Sequence, residues 1–254
     1  MATSEGSVVI PVRLNQSPPP RVEARYDVSD TNHVSKAMVQ SLAPSQVVVL
    51  GYWPVPDQSS PKQLREQFED EARASLEVIR KSLEDDDSEA VSELSFTKNR
   101  DHLIDRVANK YGSTAVLFPG TVRSTPRESV LVLLTSDSDM DRIVTAVGTL
   151  FGDSDVDIML FHAVERGDDV EATKYMLRGV ANRLADHGIS SDRIQLNQSD
   201  RSSRVESIVS EVSDHDLVVL SESEPTVRDR IFGPVQSSIS DKTDRPSLTI
   251  RAST

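Results

Sequence analysis

Short runs of aliphatic and β-branched residues alternate along this chain with longer stretches in which apolar residues recur every third or fourth position. SVVIPV at 7–12 predicts a first strand, and LNQSPPPRVEARYD after it reads as a loop stiffened by prolines. Val34, Ala37, Met38 and Leu42 stand at helical spacing, Pro44 closes that helix, and QVVVLG at 46–51 predicts the next strand. Leu64, Phe68, Ala72, Leu76, Ile79 and Leu83 then form a stripe, with Glu66, Glu69, Asp70 and Arg73 on the opposite side. That is an amphipathic helix covering one side of a sheet. A strand at 91–96, a helix marked by Leu103, Ile104, Val107, Ala108 and Tyr111, and a strand at 114–118 complete the series.

The same order then starts again. A strand at 129–134 precedes a helix with Met140, Ile143, Val144, Val147 and Phe151 inward, and 156–162 predicts the next strand. Tyr175, Met176, Gly179, Val180 and Leu184 sit on the following helix. Strands at 193–197 and 216–221 flank a short helix with Val205, Ile208, Val209 and Val212, and the chain adds a helix at 235–242 and a strand at 247–251. The repeat has a period of about 100–120 residues, too long for a solenoid. Each β-α-β-α-β-α-β series predicts a parallel sheet with helices on both faces. The fold class is therefore α/β: two tandem doubly wound parallel-sheet domains, residues 1–125 and 126–254, joined near Pro126. Only residues 121–128 separate Gly120 from the next strand, so the first domain lacks the last helix and strand. That short joint leads us to expect tight packing of the halves.

Charge and composition remove several classes of function. With 28 Lys and Arg against 41 Asp and Glu, the net charge is −13, and little is available to neutralise phosphates or an anionic membrane surface. No nucleic acid is expected as a partner. There is no cysteine, hence no disulfide, thiolate metal site or Cys nucleophile. No apolar run approaches the ~20 residues of a membrane span, so no direct membrane insertion is expected. The N-terminus MATSEGSVVIPV lacks a basic segment ahead of an apolar one, and a cytoplasmic location follows as the expectation. The carboxylates are spread along the chain instead of forming a tail, as in proteins adapted to a very salty cytoplasm. The plain alternative is an ordinary acidic bacterial or archaeal protein.

SVLVLL, a helix, DIMLFHAVE, a long helix, DLVVLSESEPTVRDRIFGPV and RPSLTIRA together resemble a universal stress protein domain. LFHAVE is similar to that family's second strand, and FGPV followed by DRPSLTI is similar to the segment after its nucleotide loop. The first half is similar in order and weaker in sequence, so the whole resembles a tandem member of archaeal, haloarchaeal-like type. The resemblance implies an open five-stranded parallel sheet of the adenine nucleotide alpha hydrolase-like kind. It also implies ATP as a ligand, bound by a Gly-x-x-Gly pair and a later Gly-Ser or Gly-Thr, with an acidic residue ending the first strand.

The positions that carry this site over are Thr135, His162, Ser221, Glu224 and Gly233, and they depart from the pattern. Ser221 stands at the first glycine and Glu224 at the second; Gly233 fits the third only in a loop one residue short. Pro234 replaces the hydroxyl residue and removes an N–H donor. The acidic position falls at Thr135, and at Arg13 in the first half, where Gly120 has no second glycine. Glu222 and Glu224 would lie where a triphosphate belongs. At about 4 Å each like-charge pair costs roughly 1 kcal/mol in water and about 4 at an effective dielectric of 20. Ordinary ATP binding is expected to be lost, leaving no cofactor.

Other residues have plain readings. His162 ends a strand on the side where open α/β sheets bind ligands, yet it reads foremost as a packed histidine. His33, His102, His187 and His215 are scattered, without metal-ligand spacing. Asp137, Asp139 and Asp141 faintly match a calcium loop but lack its Gly and distal Glu, so helix capping is the better account. Arg228 and Arg230 suit pairing with Glu222, Glu224 and Asp229 better than anion capture. Tyr52 and Trp53 cover a core end or an interface. No nucleophile, base and oxyanion hole assemble, and no enzyme is expected.

The expectation is a non-catalytic universal stress protein, a stress-response or regulatory module acting through contacts with an unknown protein partner. A homodimer or internal pairing of the two halves would cover the last strand edge. The alternatives are an adenine-nucleotide-sensing regulator with a rearranged loop and a regulatory module of a cation or amino-acid transporter. A hydrolase acting on nucleotides is a further alternative, without its expected motif.

Overall fold

The computed structural model describes residues 7–15, 39, 46–84, 89–120, 129–134, 140–152, 154–164, 169–199, 204–221 and 245–251. The chain divides into two compact units, Met1–Arg123 and Ser124–Thr254. The helices expected around residues 34–42 and 235–242 lie outside the described residues, apart from helical Val39.

In the first unit the described strands are β1 (Ser7–Arg13), β2 (Gln46–Pro54), β3 (Glu89–Thr97) and β4 (Ser113–Phe118). They lie in the order β3-β2-β1-β4, all parallel. β1 and β2 are nearly continuous apolar runs because a parallel sheet is covered on both faces. Helix α1 (Pro61–Leu83) begins with proline at its first position, where the missing N–H costs nothing, and buries Ala72, Leu76, Ile79 and Leu83. Arg80 near its end binds Glu77 at 2.9 Å, Glu84 at 3.2 Å and the Ala90 carbonyl at 3.1 Å, which fixes the way into β3. Helix α2 (Arg100–Lys110) is capped by Asn99, whose side chain accepts from the His102 N–H at 3.0 Å. Gly112 (φ +60°) then makes the left-handed turn into β4. Successive strand residues face opposite ways, so Trp53 against Phe68 of α1 and Tyr52 against Arg100 of α2 place the two helices on opposite faces.

The second unit runs β5 (Ser129–Leu134), α3 (Met140–Phe151), β6 (Asp157–His162), α4 (Val170–Asp186), β7 (Ile194–Gln198), α5 (Arg204–Ser213), β8 (Leu217–Ser221) and β9 (Ser247–Ile250). Its strand order is β9-β8-β5-β6-β7, again parallel. Leu131, Leu133, Phe161 and Val218 of the sheet pack with Ile208 and Val212 of α5. Asp169 caps α4 by accepting from the N–H groups of Glu171 and Ala172.

The residues read on α4 all lie on it; its inner side is Thr173, Leu177, Val180 and Leu184, while Tyr175 is 69% exposed and Gly179 faces solvent. One sequence expectation shifts here. The strand read at 193–197 begins one residue later, because Ser191–Arg193 form a tight 3-10 turn. The Arg193 guanidinium is taken up by the Val156 carbonyl at 2.6 Å.

Candidate functional site

Both units reverse their strand order beside the first strand, between β1 and β4 and between β5 and β8. Open α/β sheets receive ligands at the carboxyl ends of the strands at such a point.

In the second unit β5 ends at Leu134 and β8 at Ser221, which pairs with Ile250 of β9. His162 ends β6 directly opposite Leu134, 4% exposed, and its Nδ1–H donates to the Leu134 carbonyl at 3.0 Å. The carbonyl is an acceptor only, so this bond fixes the proton on Nδ1. The His162 carbonyl in turn accepts from the Ser199 N–H at 3.0 Å, and the Ser199 hydroxyl accepts from the Val164 N–H at 2.8 Å. His162 thus pins the ends of two strands. Thr135, Glu224 and Gly233, with Glu222, Arg228, Arg230 and Pro234, lie outside the described residues. His162 and Ser221 are the two carried-over positions that the structure describes. They end β6 and β8, the two strands that flank β5.

In the first unit Arg13 ends β1 in register with Tyr52 of β2, and its Nε donates to the Asn15 side chain at 2.7 Å. Arg100, at the start of α2, reaches over the Phe118 ring at 6.0 Å and donates to Asp101 at 3.0 Å. Burial opposes its charge, but Asp101 and Tyr52 outweigh burial and raise its proton affinity. Arg100 was not singled out in the sequence, where it is one helix-opening residue among several. Only the return of α2 over the sheet brings it beside Tyr52 and Phe118.

On the opposite face Trp53 stacks on Phe68 (4.7 Å between ring centres) and Phe96 (5.8 Å), with Arg65 at 5.8 Å over Phe96. The tryptophan therefore closes the end of a core. Asp141 pairs with Arg183 at 2.7 Å, and the other aspartates of its run lie outside the described residues. Among the described residues no group of three His, Asp or Glu side chains is placed to hold a metal. Nor is any helix among them long and apolar enough to cross a membrane.

No protein-family model matches the chain, and no curated protein is similar to it in sequence. Solved structures are similar. A universal stress protein from Archaeoglobus fulgidus DSM 4304 superimposes with a TM-score of 0.65 at 12% identity, over 97% of this chain and 96% of that one. A functionally unknown protein from Pseudomonas aeruginosa PAO1 gives 0.52 at 10% identity, over 98% and 93%. At such identities the likeness establishes architecture, and this chain has the universal stress protein fold.

Proposed function

We propose that the protein is a tandem universal stress protein without catalytic activity, a cytoplasmic stress-response or regulatory module that works through protein contacts. Ordinary ATP binding has been given up. The observation that carries this reading is the end of β8 in the five-stranded unit: Ser221 is followed by Glu222, Ser223 and Glu224. A phosphate cradle needs glycine there, so that backbone N–H groups can approach the oxygens closely. Here the chain offers carboxylates instead, and the residues present do not fit a triphosphate. The Nδ1–H of His162 is committed to the Leu134 carbonyl and supplies no replacement donor. In the first unit Arg13 ends the strand where an acidic residue would read a nucleoside. The full-length likeness to a universal stress protein supports the rest of the reading.

Thermal melting in about 1 M KCl, with and without millimolar ATP or AMP, tests it. A nucleotide present at 100 times its dissociation constant would add about 2.7 kcal/mol to stability. The expected result is no shift. A clear rise would overturn the reading of Ser221 and Glu224 and put a nucleotide sensor in its place.

A further inference from the structure

β7 is an edge strand: it pairs with β6, and among the described residues no strand pairs with its other side. The Ser199 N–H donates to the His162 carbonyl, which fixes the alternation of backbone groups along the strand. Asn197 and Gln195 turn their N–H and C=O toward β6, while Ile194, Leu196 and Gln198 turn theirs outward. Edge strands in natural sheets are guarded by charge, proline, a bulge or a covering element. β7 reads IQLNQ, with no charge and no proline, in a chain of net charge −13. Gln195, Leu196 and Asn197 are exposed, Leu196 by 41%.

We propose that this edge pairs with the same edge of a second copy of the chain, antiparallel about a two-fold axis at Leu196. Full overlap of the five residues sets Leu196 against Leu196 of the second copy, Ile194 against Gln198, and Gln195 against Asn197. All three outward-turned residues then meet outward-turned residues, so the bonding pattern closes. On one face Leu196 meets Leu196, flanked on each side by an Ile194–Gln198 pair; on the other the amides of Gln195 and Asn197 face each other twice. Within the paired strands no charge meets a like charge; the Glu211 carboxylate, which accepts from the Asn197 amide at 3.2 Å, stands beside them on α5. The interface is isologous, as a two-fold requires.

The β3 edge of the other unit shows what is missing from β7. It is a nine-residue strand bearing Glu89 and Glu93, and full antiparallel overlap with its own copy would set Glu93 against Glu93. Like charges directly opposite are destabilising. Elsewhere two copies repel through their shared negative charge, and molar salt shortens that repulsion to about 3 Å. A five-residue pair is smaller than a standard interface, so the dimer is weak and strengthens with salt and concentration. The proposal does not depend on the loss of nucleotide binding.

The chain has no cysteine, so Leu196→Cys brings a single thiol against its own copy on the axis. Hydrogen-bonded antiparallel partners stand about 5.5 Å apart at Cα, within disulfide reach. Oxidation by dissolved oxygen with copper–phenanthroline in about 1 M KCl should give a covalent dimer that a reductant reverses, while Ser92→Cys on the β3 edge stays monomeric. Sedimentation equilibrium of the unaltered chain should show a monomer–dimer equilibrium, and Leu196→Lys should raise its dissociation constant at least tenfold with an unchanged circular dichroism spectrum. Should that lysine variant not fold, the two cysteine variants decide alone. A chain monomeric at every concentration in molar KCl would overturn the proposal. So would equal cross-linking at residues 92 and 196, or a folded lysine variant that dimerises as before.

Discussion

The sixth register pair of the central strands is Val12 with Gly51 in the first unit and Leu134 with His162 in the second. One position in the same topology is therefore filled in two opposite ways. At Gly51 an added Cβ would stand 2.8 Å from a Leu14 methyl and 2.9 Å from a Leu76 methyl, so neighbouring leucines already occupy the space. At His162 the strand brings its own ring, buried and tied to the Leu134 carbonyl. The amino ends differ in the same spirit. Ser7 and Ser113 share a 2.9 Å hydroxyl bond between β1 and β4. Ser129 gives its N–H and hydroxyl to Asp216, whose other oxygen lies 3.8 Å from Arg245, just ahead of β9. The unit with the fifth strand has a carboxylate to receive the arginine that enters it, and the other unit makes do with a hydroxyl. A shared topology does not dictate shared chemistry at its strand ends; the neighbouring elements do.

His162→Ala should break the comparison most strongly. It empties a buried site and leaves the Leu134 carbonyl without this donor, a loss of about 2–4 kcal/mol. Urea unfolding followed by circular dichroism measures it, and a loss below about 1 kcal/mol would mean that the ring does not hold these strand ends. Gly51→Ala should cost less, about 1–2 kcal/mol, because the atoms in its way are the mobile tips of two leucines. Trp53, the chain's one tryptophan, stands two residues on, so its emission reports the disturbance directly.

The smallest effect is electrostatic. The hydrogen bond from Arg80 holds Glu77 below the ordinary glutamate range, and the Ser190 hydroxyl does the same for Asp192 in the second unit. A carboxylate with a lowered folded value stabilises the fold above its unfolded value and loses that contribution as pH falls through the folded one. Both groups lie in solvent, which screens them. Titration of melting temperature from pH 7 to about 3 should show a modest decline, and Glu77→Gln should flatten its first-unit share. An unaltered profile in that variant would remove the Arg80 bond from the account.

Strand positions were legible because a parallel sheet buried on both faces demands apolar runs, as at β1, β2, β5 and β8. The stripe of α1 was equally plain, with bulky residues marking one face. The inner side of α4 was not legible, because alanine, threonine and glycine mark no face; its buried side passes through Thr173, and Tyr175 is exposed. The acidic run after Ser221 was visible at once, since it needs only neighbouring residues. Arg100 beside Tyr52 and Phe118 was not, because three distant segments meet there.

The sequence alone determined the alternation of elements, the acid excess, the absence of thiols and the carboxylates that follow β8. These are properties of composition or of residues a turn apart, where backbone period and side-chain type suffice. Tertiary structure decided the strand order, the bond from His162 to Leu134, the crowding at Gly51 and the uncharged edge at β7. Each of those depends on register between segments far apart in the chain, and register is set by packing of the whole sheet, which no local pattern encodes.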